Sequence, residues 1–198
     1  MLAGGEKSRL EPMTNVMNKH VLPIYDQPMI YYPVSTLVEA GVEDIMIISD
    51  ADNSGKYTEL LENVGKHGFD ADFTYKIQSE PKGIAHAVSL GEQFIDDEFV
   101  VVLGDNIILE NLSDKIDWLD KNKEARIFLR KVSEPSAYGV ASVNFYQQVT
   151  SIRESAFIRI AATMVSIFHL GFGVNWRNFL QMQSVSCLLQ DCMMKMNI

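Results

Sequence analysis

The amino-acid sequence predicts an α/β fold in which helices cover a mostly parallel sheet. Two short, continuous apolar runs, Asp44–Ser49 and Glu98–Leu103, are typical of strands that are buried on both faces. Segments with helical spacing of apolar residues lie between and around them, and this alternation of strand and helix favours parallel pairing. We therefore expect a Rossmann-like three-layer sandwich with a mixed, mostly parallel sheet.

The first helix is predicted by an apolar stripe and by residues that favour helix ends. The stripe runs from Ile30 to Val38, Pro28 stands near its start, and Gly41 closes it. Pro33 lies inside the stripe, so we expect it either to kink the helix or to reset its beginning.

The later elements follow from the same patterns, taken in chain order. They are a helix over 52–64 that Gly65 stops, a strand in which Phe73, Tyr75 and Ile77 alternate, helices over 84–94 and 112–121, and strands over 126–132 and 140–145. In sheets of this kind, ligands bind beyond the carboxyl ends of the strands. We therefore expect chemistry at the loops Gly4–His20 and Gly104–Asn106.

Composition excludes several classes of function and divides the chain. A net charge of −9 argues against nucleic acid and anionic membranes as partners, because both are bound through basic surfaces.

Residues 1–154 carry 25 of the 26 acidic and 14 of the 17 basic side chains, and they carry all six prolines. Cys187 and Cys192 both follow residue 154. We therefore predict two segments, 1–154 and a divergent tail of unknown structure over 155–198.

The sequence favours a cytoplasmic protein. The N-terminus has no basic segment followed by an apolar one, and the two cysteines fit neither a disulfide framework nor a zinc spacing. The stretch Ile160–Trp176 carries no charge, but its 17 residues fall short of the ~20 that a membrane helix needs. His20, His67 and His86 share no metal-binding spacing and are expected to be structural.

The opening loop combines glycines with cationic side chains. Gly4 and Gly5 allow backbone N–H groups to approach phosphates, and Arg9 could clamp phosphate oxygens with two hydrogen bonds. Glu6 separates Gly5 from Lys7, so this loop is not a Walker motif. Taken alone, two glycines and an arginine indicate no more than an ordinary turn.

A series of motifs in a fixed order makes the loop informative, because together they resemble the sugar nucleotidyltransferases, and most closely the glucose-1-phosphate thymidylyltransferase branch. The motifs, spread over about residues 1–154, are Leu2-Ala3-Gly4-Gly5 with Ser8-Arg9-Leu10, Asn18-Lys19 with Val21-Leu22-Pro23, Pro28-Met29-Ile30-Tyr31-Tyr32-Pro33, Gln78-Ser79-Glu80-Pro81-Lys82-Gly83-Ile84-Ala85-His86-Ala87, Val102-Leu103-Gly104-Asp105-Asn106-Ile107 and Tyr138-Gly139-Val140.

The resemblance implies transfer of dTMP from dTTP to glucose 1-phosphate with Mg2+, giving dTDP-glucose and pyrophosphate for nucleotide-sugar and polysaccharide biosynthesis. By the match, Arg9 would bind the leaving pyrophosphate, and Lys19 would bridge the two phosphates as the second catalytic cation. Asp105 would hold Mg2+. The other implied contacts are Leu2, Ala3, Gly4, Gly5, Gln78, Pro81 and Gly83 for the nucleotide, with Gln78 facing the thymine edge, and Tyr138, Gly139 and Glu154 for the sugar.

The sequence also departs from the family. Relatives have a full hydrophobic strand before the first glycines, whereas this sequence starts there with Met1, so we expect the first strand to be truncated. At the other end, the match to the family stops at Glu154, and no second metal-binding aspartate follows. We therefore expect little or no transferase activity from the chain alone, and we expect the tail to be foreign or frameshifted sequence. A noncatalytic nucleotide-binding or subunit-interaction fragment and a uridylyltransferase that uses UTP remain alternatives. The family also implies a homo-oligomer.

Overall fold

A computed structural model describes residues 1–4, 17–62, 68–80, 82–95, 98–113, 125–131, 139–146, 149–154 and 160–169. Its helices are α1 (Tyr31–Glu39), α2 (Ala51–Glu62) and α3 (Ile84–Ser89), with 3-10 turns at Lys19–Val21 and Glu92–Phe94. Its strands are β1 (Pro23–Ile24), β2 (Gln27–Pro28), β3 (Asp44–Ser49), β4 (Asp72–Ile77), β5 (Glu98–Val102), β6 (Ala125–Lys131), β7 (Gly139–Val143), β8 (Val149–Glu154) and β9 (Ile160–His169).

The parallel part of the sheet is built around the first three residues. β3 pairs with β4 in parallel, and Leu2 bridges in parallel to Ile48 on one side and to Leu103 on the other. The Leu2 N–H donates to Val102 O at 2.9 Å, and the Ala3 N–H donates to Ile48 O at 2.8 Å. The first strand is therefore short in this chain, and it lies between β3 and β5.

The other part of the sheet is antiparallel and uses residues beyond the predicted boundary at 154. β9 pairs with β5, so that Val165 lies opposite Val102, and it pairs with β6 along its length. β7 pairs with β8 and meets β9 at Val140 and Ala161. The sheet is therefore mixed, as predicted. The segment 155–159 and residues 170–198 lie outside the described residues, and the division of the chain at 154 stays a prediction.

Most of the uncharged stretch Ile160–Trp176 is strand in this structure, because β9 covers Ile160–His169. None of the helices within the described ranges is long and apolar enough to cross a membrane.

Helix α1 shows how local chemistry sets the ends of an element. Its first residue is Tyr31, so Pro33 stands in the first turn, where a missing N–H breaks no intrahelical hydrogen bond. The helix ends at Glu39, and Gly41, two residues further on, has a φ of 84°. The Gly41 N–H donates to Val38 O at 2.9 Å and the Val42 N–H to Leu37 O at 3.0 Å, which is the Schellman pattern. Pro33 thus resets the start of the helix.

The core lies where α1 and α2 cover the parallel strands. Ile47 and Val102, from two of these strands, are fully buried, as are Val34 of α1 and Tyr57 of α2. The carboxylate of Asp50 caps α2, since its Oδ1 accepts from the Asn53 backbone N–H at 3.1 Å. This packing fixes the loops that follow the strands and so positions the site.

The remaining predicted elements differ from the structure mainly in their bounds. The helix predicted over 84–94 is shorter, because α3 ends at Ser89 and a separate 3-10 turn covers Glu92–Phe94. The end of the helix predicted over 52–64 and most of the helix predicted over 112–121 lie outside the described residues.

Candidate active site

The carboxyl ends of the parallel strands form one continuous edge. The Gln78 N–H donates to Ser49 O at 2.8 Å just past β4, and the Gly104 N–H donates to Leu2 O at 2.8 Å just past β5. Between them, a Cβ added at Gly4 would lie 3.6 Å from the backbone nitrogen of Asp50. The predicted nucleotide residue Gln78 and the predicted metal ligand Asp105 therefore follow strands on either side of the opening segment, at the edge where ligands of α/β sheets bind.

A cation and a carboxylate meet at this edge although they are far apart in sequence. Lys19 Nζ lies 2.5 Å from Asp105 Oδ2, and the two side chains are 22% and 9% exposed. The turn that carries Lys19 is fixed on one side by Asn18, whose Oδ1 accepts from the His20 N–H at 3.0 Å. It is fixed on the other side by the Ile30 N–H, which donates to His20 O at 2.9 Å. The chain thus presents one positive and one negative group together.

A buried histidine and tyrosine connect the three segments of the site. The Tyr57 hydroxyl donates to Ala3 O at 2.9 Å, and His20 Nδ1 lies 3.2 Å from the Tyr57 oxygen. The single hydroxyl hydrogen of Tyr57 is used in the bond to Ala3 O. In the bond between Tyr57 and His20, therefore, His20 Nδ1 donates and the Tyr57 oxygen accepts. The imidazole also lies against Gly104, where an added Cβ would come within 2.9 Å of His20 Cδ2. His20 and Tyr57 therefore hold the Lys19 turn against the opening loop and the Asp105 loop.

We expect the folded protein to lose stability below neutral pH because of His20. Burial, together with the adjacent Lys19 cation, lowers the pKa of His20 to about 4. The folded-state pKa lies below the unfolded value of about 6.5, so this stability is present above pH 6.5 and is lost as the pH falls towards 4. The loss between pH 7 and pH 5 should be about 2 kcal/mol, measured by urea unfolding.

The control for this prediction is His20→Asn, which keeps a donor near the Nδ1 position and does not titrate. Other titrating groups contribute equally to both proteins; one example is the Met1 amino group, whose pKa is lowered to about 5 by burial. The stability difference between the two proteins should therefore shrink by about 2 kcal/mol from pH 7 to pH 5. A difference that is constant with pH would contradict the prediction.

Gln78 has two neighbours in its own motif. Its Nε2 lies 3.3 Å from Gly83 O and 2.9 Å from His86 Nδ1. Gly83 has a φ of 88°, a backbone conformation that favours glycine, and it directly precedes α3. The structure therefore brings Gln78 and Gly83 together, as the motif predicts.

The two predicted sugar residues that fall on described strands are also brought together. Gly139 of β7 lies directly opposite Glu154 of β8 in the antiparallel register. Gly5, Arg9, Pro81 and Tyr138 lie outside the described residues. Their roles, like those of the other site residues, stay predictions.

The sequence motifs assign no role in the site to His20, Tyr57 or His86, which contact site residues in the structure. The sequence predicts structural roles for the two histidines and places Tyr57 only within a helix. The one available signal was position, because His20 follows Lys19 directly and His86 lies inside the Gln78 motif. The partners of His20, however, come from distant segments.

Asp105 is the one predicted metal ligand. No group of three or more histidine, cysteine, aspartate or glutamate side chains within the described ranges could hold a metal ion. Asp105 nevertheless suits a hard divalent ion, because its carboxylate oxygens lie at the strand edge where phosphates are expected. Such an ion commonly uses one or two carboxylates and takes its other ligands from phosphates and water.

Comparisons with known proteins agree with this geometry. Residues 1–155 match a family model described as nucleotidyl transferase. A glucose-1-phosphate thymidylyltransferase from Neisseria meningitidis serogroup A is 36% identical over 157 residues, which cover 78% of this chain and 54% of that protein. A glucose-1-phosphate thymidylyltransferase from Xanthomonas campestris pv. campestris is 37% identical over 157 residues, which cover 78% of this chain and 52% of that protein. The chain thus spans about half the length of the curated relatives it matches.

Solved structures confirm the α/β prediction. A crystal structure of a protein assigned as a glucose-1-phosphate thymidylyltransferase from Bacillus anthracis, in complex with sucrose, matches with a TM-score of 0.78 and 32% identity. The match covers 93% of this chain and 73% of that one. A UDP-glucose pyrophosphorylase bound to UDP-glucose, at 24% identity and a TM-score of 0.71, shares the fold. Because the family model covers residues 1–155 and relatives about 36% identical match most of the chain, the chain belongs to the nucleotidyl transferase family.

Proposed function

We propose that this chain binds dTTP and glucose 1-phosphate and is built to transfer dTMP to the sugar phosphate, giving dTDP-glucose and pyrophosphate. The observation that carries the proposal is the meeting of Lys19 and Asp105, at 2.5 Å, next to Gly104, whose N–H donates to Leu2 O. The thymidylyltransferase relatives support this choice of nucleotide and sugar.

The chemistry requires two anionic substrates to be held in line while charge develops between them. Lys19 supplies a compact cation that can pair with phosphate oxygens where that charge develops. In the ligand-free chain its ammonium is paired with Asp105, so the carboxylate competes with phosphate oxygens for it. Arg9 would serve the leaving pyrophosphate.

The proposed metal is Mg2+, held by Asp105. When bound, it would neutralise charge on the phosphates. Asp105 thus serves two partners in this proposal, because its carboxylate contacts Lys19 in the ligand-free chain. Gln78 and Gly83 would contact the base, and the strand pair that carries Gly139 and Glu154 would contact the sugar.

The alternatives concern activity and the base. The family motifs end at Glu154, so we expect binding of dTTP with little or no turnover by the chain alone. This outcome would favour the noncatalytic nucleotide-binding or subunit-interaction fragment. UTP is the alternative nucleotide. We further propose, on the family resemblance, a cytoplasmic homo-oligomer that acts in polysaccharide biosynthesis.

Two measurements on the purified chain test the proposal. Calorimetric titration with dTTP, UTP and glucose 1-phosphate, each with Mg2+, should show dTTP binding more tightly than UTP. A pyrophosphate-release assay with dTTP, glucose 1-phosphate and Mg2+ should show little turnover. Robust turnover would overturn the expectation of inactivity, and failure to bind any of the ligands would overturn the proposed function.

A further inference from the structure

The side chain of Gln78 is held by two partners from the segment that opens α3. Its Nε2 lies 3.3 Å from the carbonyl oxygen of Gly83 and 2.9 Å from Nδ1 of His86. Gln78 itself stands at the carboxyl end of β4, where its N–H continues the pairing with β3 through Ser49 O. Both partners therefore meet Gln78 at the edge of the sheet where the nucleotide is proposed to bind.

These contacts fix which way the amide of Gln78 points. The Gly83 carbonyl can only accept, so the atom of Gln78 that faces it must be the NH2 nitrogen. That nitrogen has two hydrogens, and its second neighbour is His86 Nδ1. Nδ1 therefore accepts, and the His86 imidazole carries its proton on Nε2. With both amide hydrogens directed at Gly83 and His86, the carbonyl oxygen Oε1 is the atom that Gln78 offers to a ligand.

We propose that His86 is a positioning residue for base selection, acting through Gln78. An accepting Oε1 suits a base with an N–H at ring position 3, as in thymine and uracil. Cytosine has an unprotonated acceptor there, so two acceptors would face each other and a buried hydrogen bond would be lost. The inference rests on the proposed function, and it names the class of base as one with an N3–H. It leaves the choice between dTTP and UTP to other contacts.

The expected size of the effect follows from that lost hydrogen bond. The wild-type chain should bind dTTP and UTP at least about tenfold more tightly than dCTP. Removing His86 leaves one amide hydrogen without its acceptor, and only the longer contact with Gly83 O, at 3.3 Å, then opposes rotation of the amide by 180°. The orientation in which Nε2 faces cytosine becomes more accessible, so the preference should fall severalfold, to about threefold.

Competition binding of dTTP, UTP and dCTP to the full chain with Mg2+ tests this proposal. His86→Phe keeps a ring and removes the acceptor, so it should lose most of the preference, the remainder being due to Gly83 O. His86→Asp places an obligate acceptor near the Nδ1 position, so it should keep the preference even if all three nucleotides bind more weakly. Ser89→Ala is the control, because its hydroxyl donates to the backbone oxygen of His86 and not to its ring; its preference should equal that of the wild type.

A measurement on the ligand-free wild type makes the test independent of how the variants fold. Nitrogen NMR shifts should show His86 protonated on Nε2, while His20, which donates from Nδ1 to Tyr57, should show the opposite tautomer. Protonation of His86 on Nδ1 would overturn the inference.

The binding outcomes separate this inference from the function on which it rests. A wild type that prefers dTTP to dCTP, together with a His86→Phe variant that keeps the same preference, would overturn the inference alone. A wild type that binds none of the three nucleotides would overturn the proposed function and the inference with it.

Discussion

Asp105→Asn is expected to have opposite effects on dTTP binding without and with Mg2+. In the absence of metal, the variant should bind dTTP about five- to tenfold more tightly than the wild type. In the presence of Mg2+, it should bind about tenfold or more weakly, because the ion would lose its protein carboxylate. The gain that Mg2+ brings to the wild type should nearly disappear.

The physical reason is that the Asp105 carboxylate repels the triphosphate and also pairs with the Lys19 ammonium, which is then less available to a phosphate. Its carboxylate is 9% exposed and lies 2.5 Å from Lys19 Nζ. Its replacement removes a poorly screened negative charge and frees the ammonium for a phosphate oxygen. A residue that merely supported the fold would weaken binding under both conditions.

Calorimetric titration of dTTP, once with EDTA and once with excess Mg2+, distinguishes these cases. Asp44→Asn is the matched control, since Asp44 is exposed at the amino end of β3, away from the carboxyl edge. It should leave both affinities unchanged. An Asp105→Asn variant that loses affinity equally under both conditions would remove the reason for assigning the metal to Asp105.

Gly104→Ala is expected to destabilise the fold by about 1–3 kcal/mol and to weaken dTTP binding. The added Cβ would lie 2.9 Å from His20 Cδ2 and 3.3 Å from the backbone oxygen of Leu2. Neither neighbour can move freely, because His20 is bonded to Tyr57 and Leu2 is bonded into the sheet. The loop that carries Asp105 must therefore shift away from Lys19.

Urea unfolding and dTTP titration check this prediction against Gly55→Ala. Gly55 lies inside α2, and a Cβ there would meet nothing within 4 Å. The control should stabilise the protein by about 0.5–1 kcal/mol, because alanine favours the helix. Equal stability of Gly104→Ala and the wild type would show that the contact between His20 and Gly104 is loose.

The strands were the most predictable part of the fold. The run Asp44–Ser49 is a strand with the predicted bounds, because a short apolar run of this length between polar residues is typical of a buried strand. The helices were less predictable at their ends. Pro33 permitted both a kink and a new start, and only the hydrogen bonds of the folded chain decide between them.

The candidate site was predictable as motifs but not as contacts. The order of the motifs placed Lys19 and Asp105 at one site, and the structure brings their side chains together. Nothing local predicted that Tyr57 would bond to Ala3, because the two residues meet only when α2 packs over the opening segment. A contact of this kind depends on the tertiary fold and leaves no periodic signal.

The tail was the least predictable segment. Its change in composition indicated foreign sequence after Glu154, yet Ile160–His169 supplies a strand that pairs with both β5 and β6. An uncharged stretch with several β-branched residues suits a strand between two others as well as it suits other apolar environments. Composition alone therefore gave no placement for it.

The position of the first residues between β3 and β5 has a consequence for folding during synthesis. The Leu2 N–H has its partner at Val102 O, so the first strand cannot be completed until about a hundred further residues have left the ribosome. β3 and β4 can pair well before that. We therefore expect the first strand, and with it the carboxyl edge where phosphates are proposed to bind, to be among the last parts of the parallel sheet to form.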